Sequence, residues 1–453
     1  MKKARGCLAV GVVAGVLVIV GGFLLAYLVT EHGRERASAQ LRKPESLETL
    51  ERLARLRWER VEPLSEEDIA HLERFHAYER LFARYESSEA RRFDIAATKE
   101  NPDKWWSSSE DVCTWDEVTW ECVQEYTALC EEYIPEVRRV AALGGPVAGF
   151  DAAQAAAMEL HHTHSMRDLA NMLRLHAIAT ARQSEMDEAV DDIIAGMRLA
   201  DALACEPVLR SQSTRNYMYA ILIDAIQQAF APGDLPREQV MRLVEHLAGA
   251  DHLEAFAEAL AGQAIVDLTL FEQIRNETPW AVDQLEYCSR YRKWEPSPAK
   301  KLLATLPARP VLNLNEAAYA EMMQRTVAAA QLPLADAVEE YGQIRREVLE
   351  LSVLQPVSFH LLAWVCGVCH IQANHESMAR LVQIGLVVEL YHAEHGEYPA
   401  SLDAIAPDFG GSVPNDPLTN EPYHYERMDD SFLLRSKGQY ERYYGTIAWR
   451  TSE

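Results

Sequence analysis

The 453 residues contain no G-x-S-x-G elbow, no phosphate-cradling glycine loop and no G-x-G-x-x-G behind a strand. The sequence therefore gives no positive sign of a serine hydrolase or a nucleotide enzyme. Basic residues are in short supply, 44 Lys and Arg against 69 Asp and Glu, a net charge of −25 at pH 7. Such an excess argues against nucleic acid or an anionic lipid surface as the main partner, since both are polyanions. Eight cysteines are too few for a disulfide framework. What is present is ample apolar material, 48% of the chain, enough to build a core and to exclude wholesale disorder.

Charge is missing altogether from one place. Gly6 to Thr30 is a run of 25 uncharged residues that includes Val12, Leu17, Ile19, Phe23 and Leu25. As a helix rising about 1.5 Å per residue it would cross a hydrocarbon core of about 30 Å. The run continues to Tyr27-Leu28-Val29 without a small-residue cleavage site, so it reads as an uncleaved single-pass anchor rather than a signal peptide. Lys2, Lys3 and Arg5 precede it, and Arg34, Arg36, Arg42 and Lys43 follow. With that balance, the preferred topology keeps the short basic tail in the cytoplasm and the bulk of the chain outside the inner membrane, since long domains translocate largely regardless of charge. Gly11, Gly15 and Gly22, with Ala26, share one helical stripe, which would let two spans pack as a homodimer.

Beyond the anchor the pattern is helix after helix. Ser65-Glu66-Glu67-Asp68 resembles a capping box ahead of Ile69, Leu72, Phe75 and Leu81. Ser184 is expected to begin a helix carrying Met186, Val190, Ile193, Ile194 and Met197. Pro207 is expected at the first position of the next, which carries Tyr217, Ile221, Leu222 and Ile226. Short connections imply antiparallel neighbours, without a steady repeat register. The expected organisation is mainly α: a tail and transmembrane anchor (1–30), a body of antiparallel helical hairpins (31–355) with a Pro-rich connector at about 295–310, and a long helix with a small α+β domain (356–453). Strand signals cluster only at the end, in Tyr423–Arg427, Phe432–Arg435 and Thr446–Trp449, around a turn at Asp429-Asp430. They predict a three- or four-stranded antiparallel sheet.

In that tail, a long helix ending in Leu390-Tyr391 is followed by Gly396-Glu397-Tyr398-Pro399, Asn415-Asp416-Pro417, Pro422-Tyr423-His424-Tyr425 and Ser436-Lys437-Gly438. Over about residues 378–440 this series resembles the C-terminal domain of type II secretion pseudopilins. The chain as a whole also resembles uncharacterised bacterial membrane-anchored proteins with such a tail behind a helical body. The resemblance implies a fold, with Tyr391, Gly396, Tyr398, Pro399, Asp416, Pro417, Tyr423, Tyr425, Ser436 and Gly438 as motif positions, and no activity. Physically, Gly396 can end the helix, Tyr398-Pro399 forces an extended exit, and Asp416-Pro417 turns the chain into the first strand. Two family features are missing. Gly22-Phe23 lies late in the apolar run with no Glu before Glu31, and Gln439-Tyr440-Glu441 stand where an acidic calcium loop would be.

The sharpest chemical motif is Cys366-Gly367-Val368-Cys369-His370. C-x-x-C-H is the attachment signature of c-type haem, with two thioethers and His370 on iron, and His360, His375 and Met378 are nearby candidates for a second ligand. Weighed against it, Cys366, Cys369 and Ala373 fall on one stripe of a buried helix inside the run Leu361–Leu390, and packing is the preferred reading. A thiol redox pair ranks below haem, because it needs a strand-to-helix context. Cys113 and Cys122 could close a loop among Trp105, Trp106, Trp115 and Trp120, with Cys130 nearby, or stay free in a local core. His164 with Asp168 and His392 with His395 have helical metal-ligand spacing but no third ligand, and solvated faces are preferred. The expected function is that of a membrane-anchored structural or interaction protein in an envelope or secretion-related assembly, with no catalytic residue, no metal and no cofactor assigned. The alternative is a c-type cytochrome or thiol redox protein built on Cys366, Cys369 and His370.

Overall fold

A computed structural model describes residues 25–39, 41, 45–59, 64–92, 117–147, 149–150, 160–230, 235–249, 252–276, 309–351, 355–438 and 448–450. The expected span before residue 25, Gly11, Gly15 and Gly22 of its packing stripe, Cys113 and the connector up to residue 308 lie outside the described residues. Among the described residues no helix is long and apolar enough to cross a membrane.

The protein is mainly helical. Helix α1 covers residues 25–38, followed by α2 (Glu45–Glu59), α3 (Glu66–Glu86), α4 (Glu89–Arg92), α5 (Glu117–Cys130) and α6 (Ile134–Ala141). The centre is built from α7 (His161–Arg182), α8 (Met186–Asp201), α9 (Leu209–Ala229), α10 (Arg237–Gly249) and α11 (His252–Arg275). Then come α12 (Arg309–Ala329), α13 (Leu334–Leu349) and the 40-residue α14 (Pro356–His395).

Local chemistry explains several helix ends. Ser65 and Asp68 form the reciprocal capping box: each side chain accepts the other's backbone N–H at 3.1 Å. The apolar stripe of α3 is Phe75, Tyr78, Leu81 and Tyr85, all buried, whereas Ile69 is 46% exposed and lies off it. Ser184 does not start α8. It ends α7: its φ is +65°, its N–H reaches Ala181 O at 2.9 Å and that of Glu185 reaches Thr180 O at 3.0 Å. Those two bonds make a Schellman motif with serine in the left-handed position glycine usually takes, and α8 begins two residues later. Pro207 likewise stands outside the helix it was expected to open. The Val208 N–H bonds Glu206 O at 2.8 Å across it, a three-residue turn that leaves Val208 extended as N-cap of α9.

Helix α14 is the spine. At 1.5 Å per residue its length is about 60 Å. Its first half packs with α11, α12 and α13, in a core containing Phe271, Tyr319, Ile344, Leu362 and Val365. Its second half joins the main core with α7–α10, through Val382, Leu386 and Leu390. The start of the expected terminal unit at residue 356 is therefore the start of a helix shared by body and tail. Gly396 (φ +75°) ends α14 with its N–H on His392 O at 2.8 Å, as expected of glycine there. A 3₁₀ helix (Leu402–Phe409) leads to the antiparallel sheet β1 (His424–Arg427), β2 (Phe432–Arg435) and β3 (Ala448–Arg450), in the order β1-β2-β3. Tyr425 pairs with Leu434 and Leu434 with Trp449, while Phe432 and Leu434 turn inward onto the main core.

Candidate functional site

The residues with most chemical potential lie along the middle of α14. Cys366 and Cys369 are free thiols, 2% and 1% exposed, within the apolar core beside Val365, Tyr341 and Phe256. Burial pushes the Cys366 thiol up to about 11 and that of Cys369 well above its usual value, the opposite of a thiolate poised for exchange. His370 is buried, with Nδ1 at 2.6 Å from the Cys366 carbonyl oxygen, and burial lowers its proton affinity despite that bond. The cavity beside Cys369, lined by Leu253, Phe256, Leu334, Tyr341 and Gln372, is about 10 Å³. That is room for about one water, and a porphyrin would require α13 to part from α14.

One turn further along α14 lies a polar chamber closed by four other helices. Its anchor is Asp201, at the end of α8. Arg215 and Tyr219 of α9 donate to its Oδ1 at 2.9 and 2.8 Å, and His246 of α10 stands 3.4 Å from its Oδ2. Burial pushes the Asp201 carboxyl up, but the nearby His246 and the bonds from Arg215 and Tyr219 hold it below the usual range. Beside them, His252 of α11 and His375 of α14 meet edge to face at 4.8 Å, and both contact the Tyr219 ring, at 4.6 and 5.2 Å. Neither nitrogen of His252 has a hydrogen-bond partner, nor has Nε2 of His375. Burial and the Arg215 cation lower the His375 pKa to about 3, against the pull of Asp201. Burial, then His375, Arg215 and His246, push His252 well below its usual value. The pair is thus neutral, enclosed and able to take protons only at a cost. Asn216 Nδ2 on Gln372 Oε1 at 2.8 Å ties α9 to α14 at the chamber wall.

A third histidine is treated in the opposite way. His176 of α7 has Nδ1 2.6 Å from Asp192 Oδ2 and Nε2 3.2 Å from Glu131 Oε2, while Arg138 Nε donates to Asp192 Oδ1 at 2.7 Å. Burial alone would lower its pKa, but the hydrogen bonds and charges of Asp192 and Glu131 raise it.

Four of the motif positions of the tail, Asp416, Tyr423, Ser436 and Gly438, meet at a different centre. Asp416, fully buried, takes Ser377 Oγ and the Leu418 N–H on Oδ1 at 2.9 and 3.1 Å. On Oδ2 it takes Ser436 Oγ and the Lys437 and Gly438 N–H groups at 2.6, 3.2 and 3.5 Å. Tyr423 donates to the Ser377 carbonyl at 2.8 Å. Gly438 is needed for space, since a Cβ there would lie 2.6 Å from that of Leu418. One carboxylate thus fastens α14, the Asp416-Pro417 turn and the end of β2 together. Tyr398 is buried and stacks on His392 at 4.1 Å, Tyr391 stacks on His395 at 4.0 Å, and Tyr425 donates to the Pro399 carbonyl at 2.8 Å. Neither this centre nor those stacks meet the Cys366–His370 segment.

The remaining histidine motif is dispersed. Asp168 faces Arg91 at 3.5 Å and His164 is exposed, while His162 bonds both oxygens of Glu206 at 2.9 and 3.0 Å. Ser211 Oγ donates to the same Glu206 at 2.5 Å, so serine and histidine share the acid instead of facing each other as nucleophile and base. Among the described residues no group of three or more His, Cys, Asp or Glu side chains could hold a metal ion. Sequence reasoning missed the Asp201 chamber, whose members come from five helices and carry no common spacing. Comparison with protein-family models, with curated proteins and with solved structures finds no match for this chain.

Proposed function

We propose that this chain is a membrane-anchored, extracytoplasmic structural or interaction protein, part of an envelope or secretion-related assembly. The observation that carries the reading is the seating of α1. The 25-residue uncharged run leads straight into this helix, and the helix is fastened to the body by specific polar contacts. Glu316 of α12, with a 3% exposed side chain, takes Arg34 at 3.4 Å and Ser38 Oγ at 3.0 Å and also pairs with Arg275. Asn313 donates to Glu31 at 2.8 Å, and Gln324 donates to the Ala37 carbonyl. A run held in lipid would thus hold the body in a fixed attitude rather than on a tether. The burial of the thiols and of the His252–His375 pair favours a scaffold over a catalyst, and the meeting of Asp416, Ser436 and Gly438 supports the pseudopilin-like reading of the tail.

Two measurements test the reading. The full-length chain should stay in the membrane pellet after alkaline carbonate, and protease added outside spheroplasts should digest the body. Release by carbonate would overturn the anchor, and a protected body would overturn the orientation. Recovery as a lone monomer from native membranes in several mild detergents would count against an assembly.

A further inference from the structure

Helix α1 is inside-out for a water-exposed helix. The side that meets the body is largely polar: Thr30, Glu31, Arg34 and Ser38 are partly buried there, with Tyr27 and Ala37 among them, and bond α12 or its neighbours. The outward side at its start is apolar, with Leu25, Leu28 and Val29 exposed by 63, 56 and 63%. Soluble helices put their apolar stripe inward. Past Thr30 the outward side changes character, with His32, Glu35 and Arg36 exposed. The change from apolar to polar falls between Val29 and His32, at the end of the uncharged run.

The contacts also fix what lies beside that boundary. Asn313 meets Glu31, Glu316 meets Arg34 and Gln324 meets Ala37, so α1 and α12 run in the same direction. Arg309, the start of α12, is four residues before Asn313, about 6 Å further back along the helix. The first turn of α12 therefore stands level with the apolar end of α1. In that turn Arg309 is exposed, and Leu314 just beyond is a 41% exposed apolar side chain.

We infer that a bilayer surface crosses α1 at residues 29–32 and that the first turns of α12, Arg309 to Leu314, rest in the same interface, so that the body docks on lipid at a second point beside its anchor. The occupant is lipid because the apolar face continues an uncharged run whose other 19 residues, 6–24, precede it in the chain. Interfaces accept this composition, an arginine in the first turn whose guanidinium snorkels back to headgroup level and a leucine at the boundary itself. The net charge of −25 makes a zwitterionic surface sufficient. This inference rests on the anchor reading above and adds to it the second contact.

The test uses the full-length chain reconstituted in phosphatidylcholine vesicles containing a phosphatidylcholine with a photoactivatable diazirine in its acyl chain. After irradiation, lipid adducts are mapped by peptide mass spectrometry. Adducts should fall on residues 25–29 and on 309–314 and be absent from the exposed apolar Leu332 and Leu349, which lie elsewhere on the body. Leu314→Glu should abolish the 309–314 adducts and leave those at 25–29, whereas Leu332→Glu should change neither. Adducts at 25–29 without any at 309–314 would overturn the docking and leave the anchor standing. Absence of lipid adducts from Leu28 and Leu314 alike, with the chain retained in the vesicles through carbonate, would show that protein and not lipid covers the face, and would also overturn it. Loss of the chain from the vesicles in carbonate would instead sink the anchor reading itself.

Discussion

Two buried histidine sites lie within the same helical body and differ in one respect. His176 has a carboxylate at each nitrogen, Asp192 and Glu131. His252 and His375 have each other, the Tyr219 ring and the Arg215 cation close by. The carboxylate in their neighbourhood, Asp201, already serves Arg215, Tyr219 and His246. The first site holds a proton more tightly than a free imidazole, the second refuses one. Burial is common to both, so burial does not decide the charge. The partners left over after the arginines are satisfied decide it.

The largest expected effect comes from breaking the charged site. Asp192→Asn leaves Arg138 and His176 without their shared carboxylate and should cost about 3–5 kcal/mol, the usual penalty for removing one partner of a buried ion pair. Urea unfolding of the detergent-solubilised full chain at pH 6 measures it. A change below 1 kcal/mol would mean that the site is not charged.

The next effect is a pH slope from the neutral site. His252 and His375 have folded pKa values below the unfolded 6.5, so below pH 6.5 the unfolded chain takes protons that the folded chain refuses. Stability should then fall with acidification, by up to about 1.4 kcal/mol per pH unit for each histidine, until pH nears the His375 value of about 3. Asp267, fully buried and raised by that burial to about 6, works in the opposite sense between pH 6 and 3.8. The informative quantity is therefore the wild type minus the His252→Phe, His375→Leu double variant, whose slope between pH 6.5 and 4.5 should be shallower. Equal slopes would mean that the pair is not neutral in the fold. His176, with its folded pKa raised, should show the mirror image: its contribution is complete below pH 6.5 and lost as pH rises through the folded value. His176→Gln should thus narrow its deficit at pH 9 relative to pH 6.

Smaller effects calibrate the helices that carry each site. Ser184→Gly, at the left-handed end of α7, should stabilise by about 0.5–1 kcal/mol. Gly367→Ala on α14 has open space for its Cβ and should gain about 1 kcal/mol from helix propensity. Both are read as shifts in urea midpoint, and a loss at either position would show the local backbone to differ. No effect at all is expected on haem content. Chain produced in a host that matures c-type cytochromes should show no Soret band, and covalent haem lost on Cys366→Ala would replace the scaffold reading with a cytochrome.

The sequence was most legible where one residue decides the outcome. Ser65 capping α3, Gly396 ending α14, and the alternation that forms β1 and β2 each depend on neighbours within a few positions. It misled where two signals compete over the same few residues. Serine reads as a helix opener, yet at Ser184 the closing bonds of α7 came first. Proline reads as a first helical residue, yet Pro207 sits in a turn of its own. The candidate site was least legible. Asp416 with Ser436 and Gly438 emerged as a pattern because a short chain segment supplies most of its ligands. Asp201, Arg215, Tyr219, His246, His252 and His375 come from five helices, and no local spacing announces a pair of unpartnered imidazoles.

The 40-residue α14 has a mechanical consequence. One unbroken rod is gripped by the α12–α13 layer at its first half and bolted to the tail through Ser377 and Asp416 just past its midpoint. A load applied to the sheet would travel along it as displacement of a stiff strut and not as rotation about a hinge. Any partner pulling on the tail would thus be felt at the opposite end of the rod, in the layer that grips α1.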